Sequence, residues 1–426
     1  METTASPAIP ERWAPSFFTM WSGQALSLVG SAVVQFALIW WLTKTTGSAT
    51  VLAMASLIGM LPQIFLAPFA GTWVDRWNRK AVMIVADSLI ALSTVVLIYF
   101  FAVGRESVLA VYVILLVRSS GGAFHYPSMQ SSTSLMVPRE HLARIAGLNQ
   151  TLSGIINIIS PPMGALVIGL LPMHGVLGID VVTAILAVSI LGFVRVPQPP
   201  RQVAQAAGTT GKTSYWHDLR AGWVYLVSWP GLLAVALLAT VINFLLTPAG
   251  SLIPLMVTQE FHGGVTQLGL VDSLFGVGVI VGGVVLSAWG GFRKRIITTL
   301  IGIIGIGIGI LLFGLLPADL FYIAVVGAFL FGSMQVFANG PLSAIFQSTV
   351  DPDMQGRVMS LVGAGATAMS PISLLVAGPI SDWLGVRTWY LFGGGVCILM
   401  TVIAFFIPVI MNIEQNAHTQ HPHTSA

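Results

Sequence analysis

Charge is scarce in this chain. Only 8% of its 426 residues are Asp, Glu, Lys or Arg, whereas 55% are hydrophobic. A water-soluble domain needs roughly a quarter of its residues charged, so a soluble globular fold is excluded. Cysteine is nearly absent. Cys397 stands alone in an apolar run, which excludes an intrachain disulfide and a thiolate metal cluster. No Walker sequence occurs, so energy from P-loop nucleotide hydrolysis is not expected. The formal charge of +3 is spread singly or in short groups at the ends of apolar runs. Without a basic stripe, zinc spacing or aromatic-basic interleaving, no nucleic-acid partner is expected. No ring of acids marks a divalent-metal pore, and no metal or cofactor site is expected. Residues 1–14 are short and polar, and the apolar run after them is too long for a signal-peptide core.

Long apolar runs fill the chain instead. Each reaches the roughly 20 residues that a helix needs to cross a bilayer. The runs predict twelve spans at 17–41, 50–73, 81–103, 108–132, 143–171, 175–194, 222–250, 266–288, 296–316, 320–347, 356–380 and 388–411. The fold class is therefore an all-α membrane protein with 12 transmembrane helices. Its 45 glycines and 23 prolines suit packed membrane helices better than soluble ones. The longest polar stretch lies midway, with Pro197, Pro199, Pro200, Arg201 and Lys212. It divides the chain into an N-terminal segment (1–16), a six-helix bundle (17–195), a linker (196–221), a second bundle (222–411) and a tail (412–426). Trp216, Leu219 and Trp223 fall at helical spacing and predict a short amphipathic surface helix starting near Ser214.

Lys and Arg set the orientation. With the N-terminus in the cytoplasm, 14 of the 18 basic residues lie on the inner side. Lys44, Arg105 and Arg387 lie outside, and Arg118 lies within a span. Both termini are then cytoplasmic. The halves also repeat weakly. Gly71 and Trp77 recur as Gly283 and Trp289 at an offset of 212, with Ser287 where Asp75 would fall. Glu140 and Arg144 recur as Asp353 and Arg357 at an offset of 213. Two homologous bundles related by an axis along the membrane normal give this pattern.

The densest charge lies in GTWVDRWNRK, where Gly71 precedes Asp75, Arg76, Arg79 and Lys80 between two spans. This form resembles the signature loop between helices 2 and 3 of major facilitator superfamily transporters. The resemblance implies a carrier, not an enzyme, and a gating role for these five residues. GPISDWLGVR repeats the Gly-x-x-x-Asp spacing at Gly378 and Asp382 on the outer side. The run WSGQALSLVGSAVVQFALIWWLTKTTGSATVLAMASLIGMLP, with RSSGGAFHYPSM and GRVMSLVGAGATAMSPISLLVAGPISDWLGV, is similar to the bacterial macrolide-efflux branch. That likeness implies a monomeric proton-driven exporter of bulky amphipathic compounds in the bacterial cytoplasmic membrane, with macrolides as the type substrate. An endogenous lipid, siderophore or nutrient is the alternative cargo.

Ionisable residues inside a bilayer are expensive and usually functional. Arg118 lies deep in span 4, and His125 follows seven residues later on the same face. Asp87, Asp180 and Asp272 lie in or near spans 3, 6 and 8. Asp87, Arg118, His125 and Asp272 are the proton-coupling candidates, while Asp180 reads as interfacial. Polar and aromatic residues along Gln24, Gln35, Asn157, Asn243, Phe244, Gln335 and Asn339 are candidates for a cavity holding an amphipathic solute. Membrane lipids are the other expected partners.

Overall fold

The structure, a computed structural model, describes residues 13–74, 76–198 and 215–414. Helices α1 (Trp13–Thr46), α2 (Ala49–Val74), α3 (Arg79–Ala102), α4 (Val108–Met136), α5 (Leu142–Leu170) and α6 (Met173–Phe193) come first. After the short α7 (Tyr215–Ser228) follow α8 (Pro230–Ser251), α9 (Val265–Trp289), α10 (Arg295–Leu315), α11 (Phe321–Thr349), α12 (Pro352–Leu384) and α13 (Val386–Phe405). All but α7 are long and apolar enough to span a bilayer, giving 12 spans among the described residues. The all-α architecture of two six-helix bundles follows.

Local chemistry sets several helix ends. The Asn78 side chain accepts from Ala81 N at 3.1 Å to start α3. Ser107 does the same for α4, accepting from Ala110 N at 3.2 Å. Gly290, with φ 79°, closes α9 in the left-handed region that glycine enters without strain. The seventh span differs from expectation. It starts at Pro230, not at 222, because the chain breaks at Trp229 (φ −115°, ψ 95°). Pro230 has no N–H to give the preceding turn and pushes Trp229 out of helical geometry. The amphipathic stretch before it is the separate helix α7. The twelfth span ends at Phe405 rather than 411, where Pro408 opens a further short turn, Pro408–Met411.

The chain forms two compact units. The first comprises Met1–Leu42 and Ala55–Lys212, and the second Thr43–Met54 and Thr213–Ala426. In the first, α3 packs along both α4 and α6. Phe17, Met20, Met83, Met129 and Leu191 form a buried cluster there. In the second, α10 packs against α11 and α13, and α9 packs against α11. The α9–α11 crossing is close. A Cβ added at Gly282 would lie 2.5 Å from Ser333 O, and one at Gly332 would overlap Phe275 O. Small residues at such crossings let membrane helices approach without a solvent-driven hydrophobic force. Large apolar residues such as Leu92, Tyr99, Leu109 and Tyr322 remain exposed, as lipid-facing surface requires.

Candidate functional site

Two polar centres stand out, one in each unit. In the first, α1, α3 and α4 bring Gln24, Asp87 and His125 together. Gln24 Nε2 donates to Asp87 Oδ2 at 3.3 Å. Gln24 Oε1 lies 2.7 Å from His125 Nε2. An amide oxygen only accepts, so His125 carries its proton on Nε2. That nitrogen also lies 3.4 Å from Asp87 Oδ1. All three residues are buried. The seven-residue spacing that put His125 on the Arg118 face thus serves Asp87 as well, which sequence position alone did not pair with it.

Arg118 finds its counter-ion in α6. Its Nη1 bonds Asp180 Oδ2, forming a buried ion pair. Nη2 donates to Ser31 O at 3.1 Å, and Nη1 also reaches Thr94 Oγ1 at 3.4 Å. Asp180 accepts in addition from Ser31 Oγ at 2.7 Å and Thr94 Oγ1 at 3.0 Å. Asp180 is wholly buried inside the protein, as the counter-ion of Arg118. A cation deep in one span demands an anion in another. The single carboxylate of α6 was the signal that could have named it. A cavity of about 380 Å³ joins the two groups, lined by Gln24, Ser31, Gln35, Asp87, Arg118 and His125 among others.

The second unit holds a cavity of about 420 Å³. Asn243 and Thr247 of α8, Asp272 and Phe275 of α9, and Phe331, Gln335 and Asn339 of α11 line it with aliphatic residues of α8 and α10. Asp272 is the one charged residue among those lining it. Phe275 and Phe331 meet edge to face, centroids 5.1 Å apart. Asn243 Nδ2 and Asn339 Nδ2 each donate to a carbonyl one turn back, Ala239 O at 3.0 Å and Gln335 O at 2.9 Å. Asn243, Gln335 and Asn339 share this cavity with Asp272. Phe244 does not line this cavity; its ring packs on Trp389 at 6.2 Å. Asn157 is exposed on α5 and lines none of these cavities. No group of three or more metal-ligating His, Cys, Asp or Glu side chains occurs among the described residues.

The charged loop is tied into the first unit. Lys80 Nζ donates to Gly192 O at 2.8 Å and Val194 O at 2.9 Å, satisfying carbonyls at the end of α6. Arg79 is buried and donates from Nη1 to Ser131 O at 3.1 Å. Arg76 is exposed. Asp75 lies outside the described residues, and Gly71 falls in the last turns of α2.

The family model for the Major Facilitator Superfamily matches residues 20–252 and 247–424. The chain belongs to this superfamily. The chain is 34% identical over 402 residues to macrolide efflux protein A of Streptococcus pyogenes, covering 94% of this chain and 98% of that protein. It is 28% identical over 410 residues to the multidrug efflux pump Tap of Mycolicibacterium fortuitum, covering 90% and 94%. A crystal structure of the nucleoside transporter NupG superposes with a TM-score of 0.70 at 13% identity, covering 92% of this chain and 99% of that one. The last likeness shows the fold. As a member of the Major Facilitator Superfamily, the protein is a multi-pass secondary active transporter and not an enzyme.

Proposed function

We propose that this superfamily member is a proton-coupled exporter of bulky amphipathic compounds, of macrolide or multidrug type, in the bacterial cytoplasmic membrane. Sequence likeness to macrolide efflux protein A along nearly the full length of both chains carries this reading. The cavities support it. Each unit encloses a carboxylate, Asp87 in one and Asp272 in the other, within reach of a solute-sized space. A carboxylate on an apolar wall accepts a proton or a cationic group, but not both at once. Alternate occupancy by proton and solute links the two fluxes during alternating access. In this scheme His125 and Gln24 hold the Asp87 proton site. Arg118, paired with Asp180, lines the same cavity as a charge-compensated pair. The motif loop from Gly71 to Lys80 governs opening on the inner side.

A second reading has its own support. The same frame serves a nucleoside transporter, so nothing in the fold is specific to drugs. An endogenous lipid, siderophore or nutrient is the alternative cargo for the Asp272 cavity. A susceptibility panel in an efflux-deficient host separates the two. Raised tolerance to amphipathic drugs, lost in Asp272→Asn, supports drug export. Unchanged tolerance, with two-way counterflow of a cellular solute in proteoliposomes, supports the endogenous carrier.

A further inference from the structure

Another cavity of the first unit, of about 490 Å³, lies between α4 and α5. Its polar walls follow from helical spacing. Tyr126, Gln130, Thr133 and Ser134 share one face of α4. Asn149, Gln150 and Ser153 share one face of α5. Such residues on membrane helices commonly bond across to a neighbouring helix. Here they do not bond across the gap. Gln130 Nε2 donates to Tyr126 OH at 2.6 Å, on its own helix. Thr133 Oγ1, Ser134 Oγ and Ser153 Oγ turn back to Met129 O at 2.9 Å, Ser131 O at 2.9 Å and Asn149 O at 3.1 Å. Asn149 Oδ1 accepts from Trp21 Nε1 of α1 at 2.8 Å.

The groups left over define what the cavity can hold. The Tyr126 O–H and the amide nitrogens of Asn149 and Gln150 keep protons to donate. The side-chain oxygens of Gln130 and Gln150 keep lone pairs to accept. Tyr126, Gln130 and Gln150 are exposed, so a solute can reach them. No Asp, Glu, Lys, Arg or His lines this cavity, unlike the two that hold Asp87 and Asp272. A charged group would enter without a counter-ion and lose its hydration. A purely apolar group would leave the amides unpaired. An uncharged ring bearing hydroxyls, as in a sugar, meets both conditions. Neighbouring hydroxyls donate and accept, as a side-chain amide does, and the ring's apolar face suits Leu28, Met129 and the Tyr126 ring.

We propose that the α4–α5 cavity binds the neutral, hydroxylated ring of a glycosylated solute, with Gln130 and Gln150 reading its hydroxyls. The proposal rests on the exporter reading for how such a solute comes to be carried, but its readout is equilibrium binding, which needs neither gradient nor transport. Leu28 lines this cavity and the Asp87 cavity alike, so the two adjoin.

The probes are digitoxin, a neutral steroid glycoside, and digitoxigenin, the same steroid without its sugars. Their binding to the full chain in lipid nanodiscs, freed of sugar-based detergent, is measured by equilibrium dialysis against empty discs. The parent should hold digitoxin about tenfold tighter than digitoxigenin, equivalent to about 1.4 kcal/mol. Gln130→Leu and Gln150→Leu should each cut that preference to about threefold or less, with digitoxigenin binding unchanged. Both side chains are exposed, so neither change threatens the fold, and if one variant is unstable the other decides. Thr151→Val, next to Gln150 but not lining the cavity, should keep the full preference. Equal binding of the two steroids by the parent, or a preference that survives both glutamine variants, overturns the proposal. Preferential binding of digitoxin with no drug export counts against the function above and leaves the site standing. Drug export with no preference for the glycoside overturns the site alone.

Discussion

Removing Asp180 should leave Arg118 stranded in the first unit. The carboxylate is wholly buried and bonded to Arg118, Ser31 and Thr94. In Asp180→Leu the two hydroxyls lose little. Ser31 lies beside a cavity, where water reaches it, and Thr94 Oγ1 still donates to Ile90 O at 2.9 Å. Arg118 keeps Ser31 O and Thr94 Oγ1 but loses the carboxylate that it is paired with. Breaking a buried pair by deleting one partner costs about 3–5 kcal/mol, while replacing both by apolar groups of similar size is near neutral. Asp180→Leu should therefore cost about 3–5 kcal/mol of unfolding free energy. Arg118→Met should cost a similar amount, since it strands the carboxylate. The double variant should cost at least about 2 kcal/mol less than the sum of the two. Reversible unfolding in mixed micelles, with all three variants and the parent, measures the cycle. Additive costs, or an Asp180→Leu protein within about 1 kcal/mol of the parent, would refute the pairing.

Two further outcomes follow from the geometry. Gly282→Ala and Gly332→Ala drive a methyl group into backbone atoms across the α9–α11 crossing. Each should cost at least the roughly 1–3 kcal/mol of ordinary overpacking, and Gly283→Ala, which meets nothing within 4 Å, should be silent in thermal-stability scans. Asp272→Asn should lose uphill transport driven by a pH gradient and retain counterflow of an uncharged solute, which needs neither net proton movement nor pairing with the carboxylate. Equal loss of both would make Asp272 a structural residue.

Much of this arrangement could be read from residues alone, because the bilayer imposes strong rules. Twelve apolar runs of spanning length gave the twelve helices. Where hydrophobicity continued past a backbone break, the reading failed. Trp223 and its neighbours extended the apparent seventh span, yet Pro230 begins it. The polar centres were legible as residue types but not as pairs. Asp87, Arg118, His125 and Asp272 stood out as charges in lipid-length runs. Their partners depend on which helices pack together, and spacing within one helix cannot show that. Asp180 was passed over because it lies near the start of its span, although Arg118 lacked an anion. Asp382 was noticed as a repeated spacing. Its bonds from Ala49 N and Thr50 N depend on how α12 packs, which spacing within one helix does not show.

The central claim is coupled movement of solute and protons. Its most direct test is purified protein in liposomes carrying an interior pH dye, challenged with amphipathic drugs. Drug-dependent proton flux is expected in the parent, lost in Asp272→Asn and strongly reduced in Asp87→Asn. Flux that persists unchanged in both variants, or drug movement indifferent to the pH gradient, would contradict it.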